Sequence, residues 1–382
     1  MISNESLPAW TYHNEEFFDL EVEYLFKNSW QLVCHLSNIK SEGDYFTFDF
    51  LGESIVVLRS KDQIKAFHNV CRHRGARLLD GPTGNIKNRI TCPYHAWSYD
   101  LEGQLVSLPY KQFFPSVKTE ELGLRPIEME LCLGFVFIRI EGSGPSVAEQ
   151  FAPAMEDLSP YHFDELLPLG RVTYREREVN WKQIADNYID ALHIPIAHQG
   201  LTDLVGNSYG LEVVGDLHKM WADVRTKRDQ GFSAKAYSQI LPKMPHLPES
   251  KQTQWLYYRM WPSLAFDIYP EQIDFMQFIP ISATKTMIRE IPYALPDERR
   301  EVKLARYLNW RINREVNAED TDLINRVQAG MTSTSFQTGP LASTEYCLLD
   351  SIRKIQEILP VSRLTTAPAK GSVSQVNREM ST

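Results

Sequence analysis

Cys71-Arg-His73 and, eighteen residues further on, Cys92-Pro-Tyr-His95 decide how the first third of this chain folds. Two thiolates and two imidazoles close a four-ligand metal site only if both segments are loops that meet. Zinc accepts such a set, but a zinc finger pairs Cys with Cys and His with His, whereas each loop here supplies one of each. That division suits a [2Fe–2S] centre in which one iron takes both thiolates and the other both imidazoles. Histidine in place of thiolate removes negative charge and raises the reduction potential, so the centre accepts electrons from a reductase. Gly75 and Gly81-Pro82 permit tight turns, and Pro93, Trp97 and Tyr99 offer a rigid apolar cover. A structural zinc is the competing reading.

The flanks of these loops read as short strands. Asp44-Tyr-Phe-Thr-Phe-Asp-Phe50 alternates, Ser54 to Leu58 follows, and Ile64 to Phe67 comes after a Lys61-Asp62 turn. Leu133 to Ile140 reads as the last strand of a small all-β unit. A Glu15 to Phe26 helix precedes it, and Gly142-Ser-Gly-Pro-Ser146 is a linker by composition. Beyond it, Trp255 to Ile281 alternates and is aromatic-rich, with a turn near Pro270, which predicts antiparallel strands. Pro296 to Gly330 predicts one broken or two consecutive helices, Thr344 to Leu359 another helix, and 363–382 a flexible tail. Strands and helices in separate blocks mean α+β. The predicted partition is 1–35 as an N-terminal helix packing with the later domain, 36–145, 146–362 and the tail.

The 382 residues carry a net charge of −9, with 43% hydrophobic and 23% charged. This is ordinary globular usage, and an acidic chain has no bulk attraction for nucleic acid. No apolar run approaches the ~20 residues of a membrane helix. The start, Met1-Ile-Ser-Asn-Glu5, lacks a basic and apolar leader, so a cytoplasmic protein is expected. Five cysteines do not make a disulfide framework.

A second chemical segment is Asp186-Asn-Tyr-Ile-Asp190-Ala-Leu-His193-Ile-Pro195-Ile-Ala-His198. Histidines five apart do not share a helix face, but Pro195 disturbs the helix, and the rings can converge from either side of the break. Asp190, one turn before His193, can accept that ring's free N–H and fix the ligating tautomer. A mononuclear Fe(II) site needs one carboxylate more. Val302, Ala305, Leu308, Ile312, Val316, Leu323 and Val327 form an apolar helical stripe. At ~100° per residue Asp320 lies roughly 55° from its centre, Glu319 roughly 45° on the other side, and Asp322 about 105° away. Asp320 or Glu319 is therefore the candidate, and Asp322 faces solvent. Zinc and hydrolysis at this second site is an alternative.

His68-Asn-Val-Cys71-Arg-His73-Arg-Gly-Ala76 and Cys92-Pro-Tyr-His95-Ala-Trp-Ser-Tyr-Asp-Leu-Glu-Gly103 resemble the Rieske signature. With Asn187-Tyr188, Asp190, His193, His198, Glu319-Asp320 and Val327-Gln-Ala-Gly-Met331, nearly the whole chain resembles the catalytic subunit of Rieske non-haem iron oxygenases. The resemblance implies an N-terminal Rieske domain and a helix-grip (START-like) catalytic domain, a curved antiparallel sheet around a long helix. It implies a [2Fe–2S] cluster on Cys71, His73, Cys92 and His95, and a mononuclear Fe(II) on His193, His198 and Asp320. It implies a small organic substrate, aromatic or a methylated amine, that O₂ hydroxylates or dealkylates with electrons from a ferredoxin or flavin reductase. It also implies head-to-tail homotrimers, in which the free oxygen of Asp190 would accept from His95 of a neighbouring subunit.

A non-catalytic Rieske electron-transfer or structural-metal protein is the alternative class. Relatives that oxidise choline, carnitine or betaine often carry Glu followed by Cys where this chain has Asp190-Ala191. That weakens a quaternary-ammonium substrate, while the compact length and Gln328-Ala-Gly330 lean towards it. Tyr257, Trp261, Phe266 and Tyr269 are either sheet core or a cage for a methylated cation. The run Arg299-Arg300, Lys303, Arg306 is either a solvated helix face or a dock for an acidic reductase.

Overall fold

The computed structural model describes residues 5–207, 209–225 and 231–381. Two compact units divide the chain. One runs from Lys27 to Ala148, with Asp164–Leu166 added. Its strands are β1 Gln31–His35, β2 Asp44–Phe50, β3 Glu53–Ser60, β4 Gln63–His68, β5 Thr83–Asn85, β6 Ile90–Thr91, β7 Ser98–Tyr99, β8 Leu105–Ser107, β9 Glu128–Cys132 and β10 Phe135–Arg139. They form three antiparallel sheets, ordered β1-β10-β9, β4-β3-β2-β5 and β6-β7-β8. The β2–β3 hairpin closes on Leu51-Gly52, both at positive φ, the turn whose twist matches its strands. Val56, Leu58, Phe67, Ile90, Trp97 and Tyr99 make one core with Cys71 and Cys92. The two cysteines thus stand on packed side chains rather than on mobile loop tips.

The other unit takes the N-terminal segment to Phe26, Glu149–Phe163 and the chain from Leu167 on. Its strands are β11 Leu167–Pro168, β12 Thr173–Arg177, β13 Gly210–Val214, β14 Leu217–Asp223, β15 Gln254–Met260, β16 Leu264–Ile268, β17 Ile273–Ser282 and β18 Lys285–Ala294. They build an eight-stranded antiparallel sheet, β11-β18-β17-β16-β15-β14-β13, with β12 also on β18. Besides the short helices Val147–Phe151 and Met155–Leu158, the α-helices are α1 Glu15–Leu20, α2 Trp181–Ile189, α3 Ile194–Ala197, α4 Gln199–Val205, α5 Phe232–Ile240, α6 Arg300–Gly330, α7 Tyr346–Ile358 and α8 Val373–Met380. Ala305, Leu308 and Ile312 of α6 pack on Met220, Trp255, Tyr257 and Tyr269 of the sheet. A long helix gripped by a sheet is the expected architecture. No helix among the described residues is long and apolar enough to cross a membrane.

Four expectations need correction. The α6 helix is unbroken over 31 residues. Asn317 does not end it, because its side chain bonds back to the Asn313 carbonyl at 2.9 Å. The buried face also differs from the apolar stripe: Ile324 and Gln328 are buried, while Val327 is exposed. The inward row Ile312, Val316, Asp320, Ile324 and Gln328 advances by about 40° around the helix at each four-residue step, so the face turned to the rest of the unit winds away from the straight stripe that ends in Leu323 and Val327. The expected flexible tail ends in α8, with Val373 and Asn377 buried and Asn377 accepting the Val361 N–H. Finally, Glu15–Phe26 is helical throughout, but from Glu21 on it widens into π-helical turns.

That widening bears on the site. Glu21, fully buried, meets the equally buried Lys182 at 2.5 Å. Lys182 lies on α2, which carries Asn187 and leads into Asp190, and α2 is held at every turn. Its N-cap Asn180 takes the Lys182 N–H at 2.9 Å and donates to the Ala283 carbonyl at 2.7 Å. Tyr12 Oη donates to Asp186 at 3.0 Å, and Arg259 to the Ala185 carbonyl at 3.0 Å. Gln328 of α6 accepts the Asn180 N–H at 2.9 Å and donates to the Tyr12 carbonyl at 3.1 Å. Gln328 therefore registers α2 against α6. Gln328→Ala leaves a buried N–H and C=O unpaired, a cost of about 1–3 kcal/mol. Chemical denaturation should show it, and Gln328→Glu should recover only the accepted bond.

Candidate metal centres

The two cysteine loops of the all-β unit close in the same way. Cys71 N–H donates to the Ala76 carbonyl at 2.8 Å and Cys92 N–H to that of Trp97 at 2.8 Å. Gly75 N–H donates to the Cys71 carbonyl and Ala96 N–H to that of Cys92, each at 3.1 Å. Gly75 and Ala96, the matching fourth residues, both have positive φ. For Ala that conformation costs roughly 1–2 kcal/mol, so the loop is held by its closure rather than by local preference.

The His73 ring lies flat on Trp97 at 4.8 Å and edge-on to His95 at 4.7 Å. Its Nδ1 is buried and has no hydrogen-bond partner. A buried imidazole nitrogen is not left unpaired without cost, and a metal bond is what this one fits. Burial, the His95 ring and Arg74 all push His73 towards its neutral, ligating form. Burial also raises the Cys71 thiol, so in the absence of a cation Cys71 would hold its proton. The Tyr99 hydroxyl lies 3.4 Å from Cys71 Sγ and accepts the Arg72 N–H at 2.9 Å. The four side chains therefore fit a [2Fe–2S] cluster with two histidines on one iron.

The second group lies in the other unit. His193 and His198 flank α3, a single turn. Pro195 does not break a helix between them, as expected from sequence, but opens this new turn, where its missing N–H costs nothing. The break falls earlier, at Asp190, whose backbone is extended. His193 Nδ1–H donates to Asp190 Oδ2 at 3.1 Å, and His198 Nδ1–H to Glu319 Oε2 at 2.7 Å. A carboxylate only accepts, so both rings carry a proton on Nδ1 and turn Nε2 inward, where it is free to bind once a metal displaces any second proton.

Those Nε2 atoms lie 3.1 Å apart, at 3.4 Å (His193) and 3.0 Å (His198) from Asp320 Oδ1. The three donors fall within 4.8 Å of one another. Lone pairs so close repel unless a proton or a metal lies between them. Without a metal the proton wins: burial pulls His193 down, but bonds to Asp190 and Asp320 carry it up to about 9. Burial likewise works against the Asp320 charge, yet the two histidines hold that carboxyl down to about 2. Two imidazoles and one carboxylate can hold a divalent iron and leave positions open. Asn187 Nδ2 donates to Asp320 Oδ1 at 3.0 Å and keeps that carboxylate in place.

Glu319 and Asp320, alternatives by helical angle, separate here: Asp320 faces both histidines and Glu319 holds the His198 ring. That second role had no sequence signal, since it joins residues 121 apart. Asp322 is exposed and paired with Arg326 at 2.8 Å. The second oxygen of Asp190 is not free, because Oδ1 accepts the Leu192 N–H at 2.7 Å. The basic run is mostly tied down within the chain, Arg299 to Asp297, Lys303 to Glu298 and Arg306 to two backbone carbonyls.

Asn187, His193, His198 and Asp320 line a cavity of about 820 Å³, its open mouth included, together with Tyr188 and Tyr257. Its lining of aromatic and aliphatic side chains with a few converging polar groups is that of a small-molecule site. Of the four aromatics read as cage or core, Tyr257 reaches the cavity. Phe266 packs against Phe151 and Phe163. Tyr269 is buried beside Tyr257, and Trp261 sits at the β15–β16 turn.

Comparison with known proteins agrees with both halves. Residues 29–118 match the Rieske [2Fe-2S] domain, and 163–359 the ring hydroxylating alpha subunit (catalytic domain). The carnitine monooxygenase oxygenase subunit of Acinetobacter pittii is 31% identical over 86% of this chain and 87% of its own length. That of Escherichia coli (strain K12) is 38% identical over 52% of this chain, which spans about half (54%) of the Escherichia coli protein. A solved quaternary ammonium Rieske monooxygenase superposes with a TM-score of 0.79 at 27% identity, covering 93% of this chain and 95% of the other. A Rieske domain ahead of a ring-hydroxylating catalytic domain, each with side chains that fit its iron, places this chain in the family of Rieske non-haem iron oxygenase catalytic subunits.

Proposed function

We propose that this chain is the terminal component of a Rieske monooxygenase that hydroxylates or dealkylates a small methylated amine. The observation that carries the reading is the convergence of His193, His198 and Asp320 on the wall of a cavity lined by aromatic and aliphatic side chains. Cys71, His73, Cys92 and His95 hold the [2Fe–2S] cluster, and His193, His198 and Asp320 the mononuclear Fe(II). When bound, the cluster supplies single electrons and the Fe(II) centre activates O₂. The chain's own residues orient and shield. Asp190 and Glu319 hold the two rings with Nε2 inward, Asn187 steadies Asp320, and the tyrosines exclude water around the substrate. The carnitine, choline and glycine betaine monooxygenases among the relatives favour a quaternary ammonium substrate over an aromatic hydrocarbon. Asp190-Ala191, in place of Glu-Cys, is then a local variation.

A separate ferredoxin or flavin reductase delivers the electrons, and the protein works in the cytoplasm as a head-to-tail homotrimer. In that trimer His95 of one subunit bonds Asp190 of the next, through the second lone pair of an oxygen that already serves Leu192 or His193. Asp190→Asn should keep three irons per chain but slow single-turnover reoxidation of the cluster at least tenfold. Co-expressed His95→Ala and His193→Ala chains should recover part of the activity that each lacks alone. Mixed oligomers without activity would refute transfer between subunits. The function itself is tested by iron and sulfide analysis, followed by formaldehyde release from methylated amines with a surrogate reductase. Two irons, both with sulfide, would leave a Rieske electron carrier instead.

A further inference from the structure

Asp267 lies on β16 at the wall of the metal-bearing cavity. Its carboxylate accepts the Tyr188 hydroxyl at 2.6 Å and, at 3.5 Å, that of Tyr269. Tyr269 in turn accepts the Asn313 amide at 2.9 Å. Asp274 is its cross-strand partner on β17. Among the described residues no Lys, Arg or His forms an ion pair with Asp267 or Asp274. Arg175 reaches Glu290 two strands away, and Arg306 faces Glu271.

Burial and the neighbouring Glu290 charge lift Asp267 to about 7. Buried carboxylates without a cation are costly, and the usual remedies are a paired base or a bound cation. The rings of Tyr188 and Tyr257 meet edge to face at 6.4 Å, those of Tyr257 and Tyr269 at 6.3 Å. Tyr209 also lines the cavity, and its hydroxyl is buried with no partner. Aromatic faces attract a cation without demanding hydrogen-bond donors from it.

We propose that Asp267, with Tyr188, Tyr257 and Tyr209 beside it, is the subsite that receives the cationic end of the substrate. This rests on the oxygenase reading of the same cavity and adds its charge selectivity. A trimethylammonium group suits the site because it has no N–H to satisfy and a diffuse charge that loses little on leaving water. Its charge offsets a carboxylate that makes no ion pair among the described residues. The two tyrosine hydroxyls favour the ionised carboxylate against burial and aim it. A purely structural Asp267 would serve only to anchor Tyr188, and then only its oxygen atom would matter, not its charge.

Asp267→Asn separates the two roles, since the amide oxygen still accepts from Tyr188. Equilibrium binding to the iron-loaded protein is measured by calorimetry for two pairs. The first is choline against its neutral tert-butyl analogue, with carbon in place of nitrogen. The second is trimethylammonium butyrate against the corresponding tert-butyl acid. Wild type should bind each cation at least tenfold more tightly than its analogue. Asp267→Asn should lose at least tenfold on the cations with the analogues within about twofold, and KM should rise with kcat largely kept. Tyr257→Leu should lower the same preference several-fold by a route that leaves Asp267 intact. Wild type without cation preference, or Asp267→Asn with it unchanged, overturns the subsite. Oxidation of a neutral methylated substrate without cation preference would leave the oxygenase reading standing. Absence of the third iron would instead remove that reading while the binding preference could still be read.

Discussion

Asp320→Ala is expected to abolish turnover and to leave a red-brown protein with two irons per chain instead of three. Among the described residues the carboxylate belongs to the group of three donors placed to share a metal, with both histidine Nε2 atoms within 3.4 Å of its Oδ1. Removing it leaves two neutral nitrogens, which hold Fe(II) far more weakly than two nitrogens and an anion. The proposed cluster ligands lie in another segment and another unit, so the Rieske absorption and acid-labile sulfide should be unchanged. His193→Ala should behave in the same way. Asp322→Ala, two residues along, loses only an exposed ion pair and should keep wild-type activity, because such pairs contribute about 0–1 kcal/mol. Glu319→Gln tests the neighbouring role: the His198 ring loses its charged acceptor, and iron affinity should fall about 10–100-fold without vanishing. Full activity in Asp320→Ala would move the ligand elsewhere.

Glu21→Ala should have the largest effect on stability. Glu21 and Lys182 are both shielded from water, and the Lys182 ammonium also sits over the rings of Tyr12, Phe17 and Trp181. Removing the carboxylate strands a buried cation, which costs about 3–5 kcal/mol. At roughly 2–4 °C per kcal/mol for a unit of this size, the unfolding midpoint should fall by about 6–20 °C. Lys182→Met in the same chain removes the stranded charge and should restore most of the loss. The double variant should also keep its mononuclear iron, since Asn187 and Asp190 lie further along α2. If the single variant melts within a degree of wild type, the pair does not carry the α2 anchorage assigned to it here.

The legible and illegible parts of this molecule divide along a physical line. Cys71, His73, Cys92 and His95 stand in two short segments whose residue types demand metal, and Asp44 to Phe67 alternates as half-buried strands must. Composition and spacing therefore determined the metal chemistry, the all-β unit and the aromatic strands between Trp255 and Ile281. Asp190 beside His193 was also readable, because one helical turn or one tight loop spans them. The long helix was readable as a helix but not in its inward face, since around the cavity Asn313, Asn317, Asp320 and Thr321 line it alongside Val316 and Ile324. A hydrophobic stripe cannot reveal a face chosen to serve a metal and a substrate.

What the fold alone decided are the pairings between distant elements. Asp320 meets two histidines over 120 residues away, Glu319 takes the other nitrogen of the His198 ring, and Gln328 locks α2 to α6. The same holds for Tyr188 and Asp267, 79 residues apart, and for Glu21 and Lys182, 161 apart. Local periodicity carries no term for such contacts. They depend on where a 31-residue helix crosses a curved sheet, and only packing of the whole core sets that crossing.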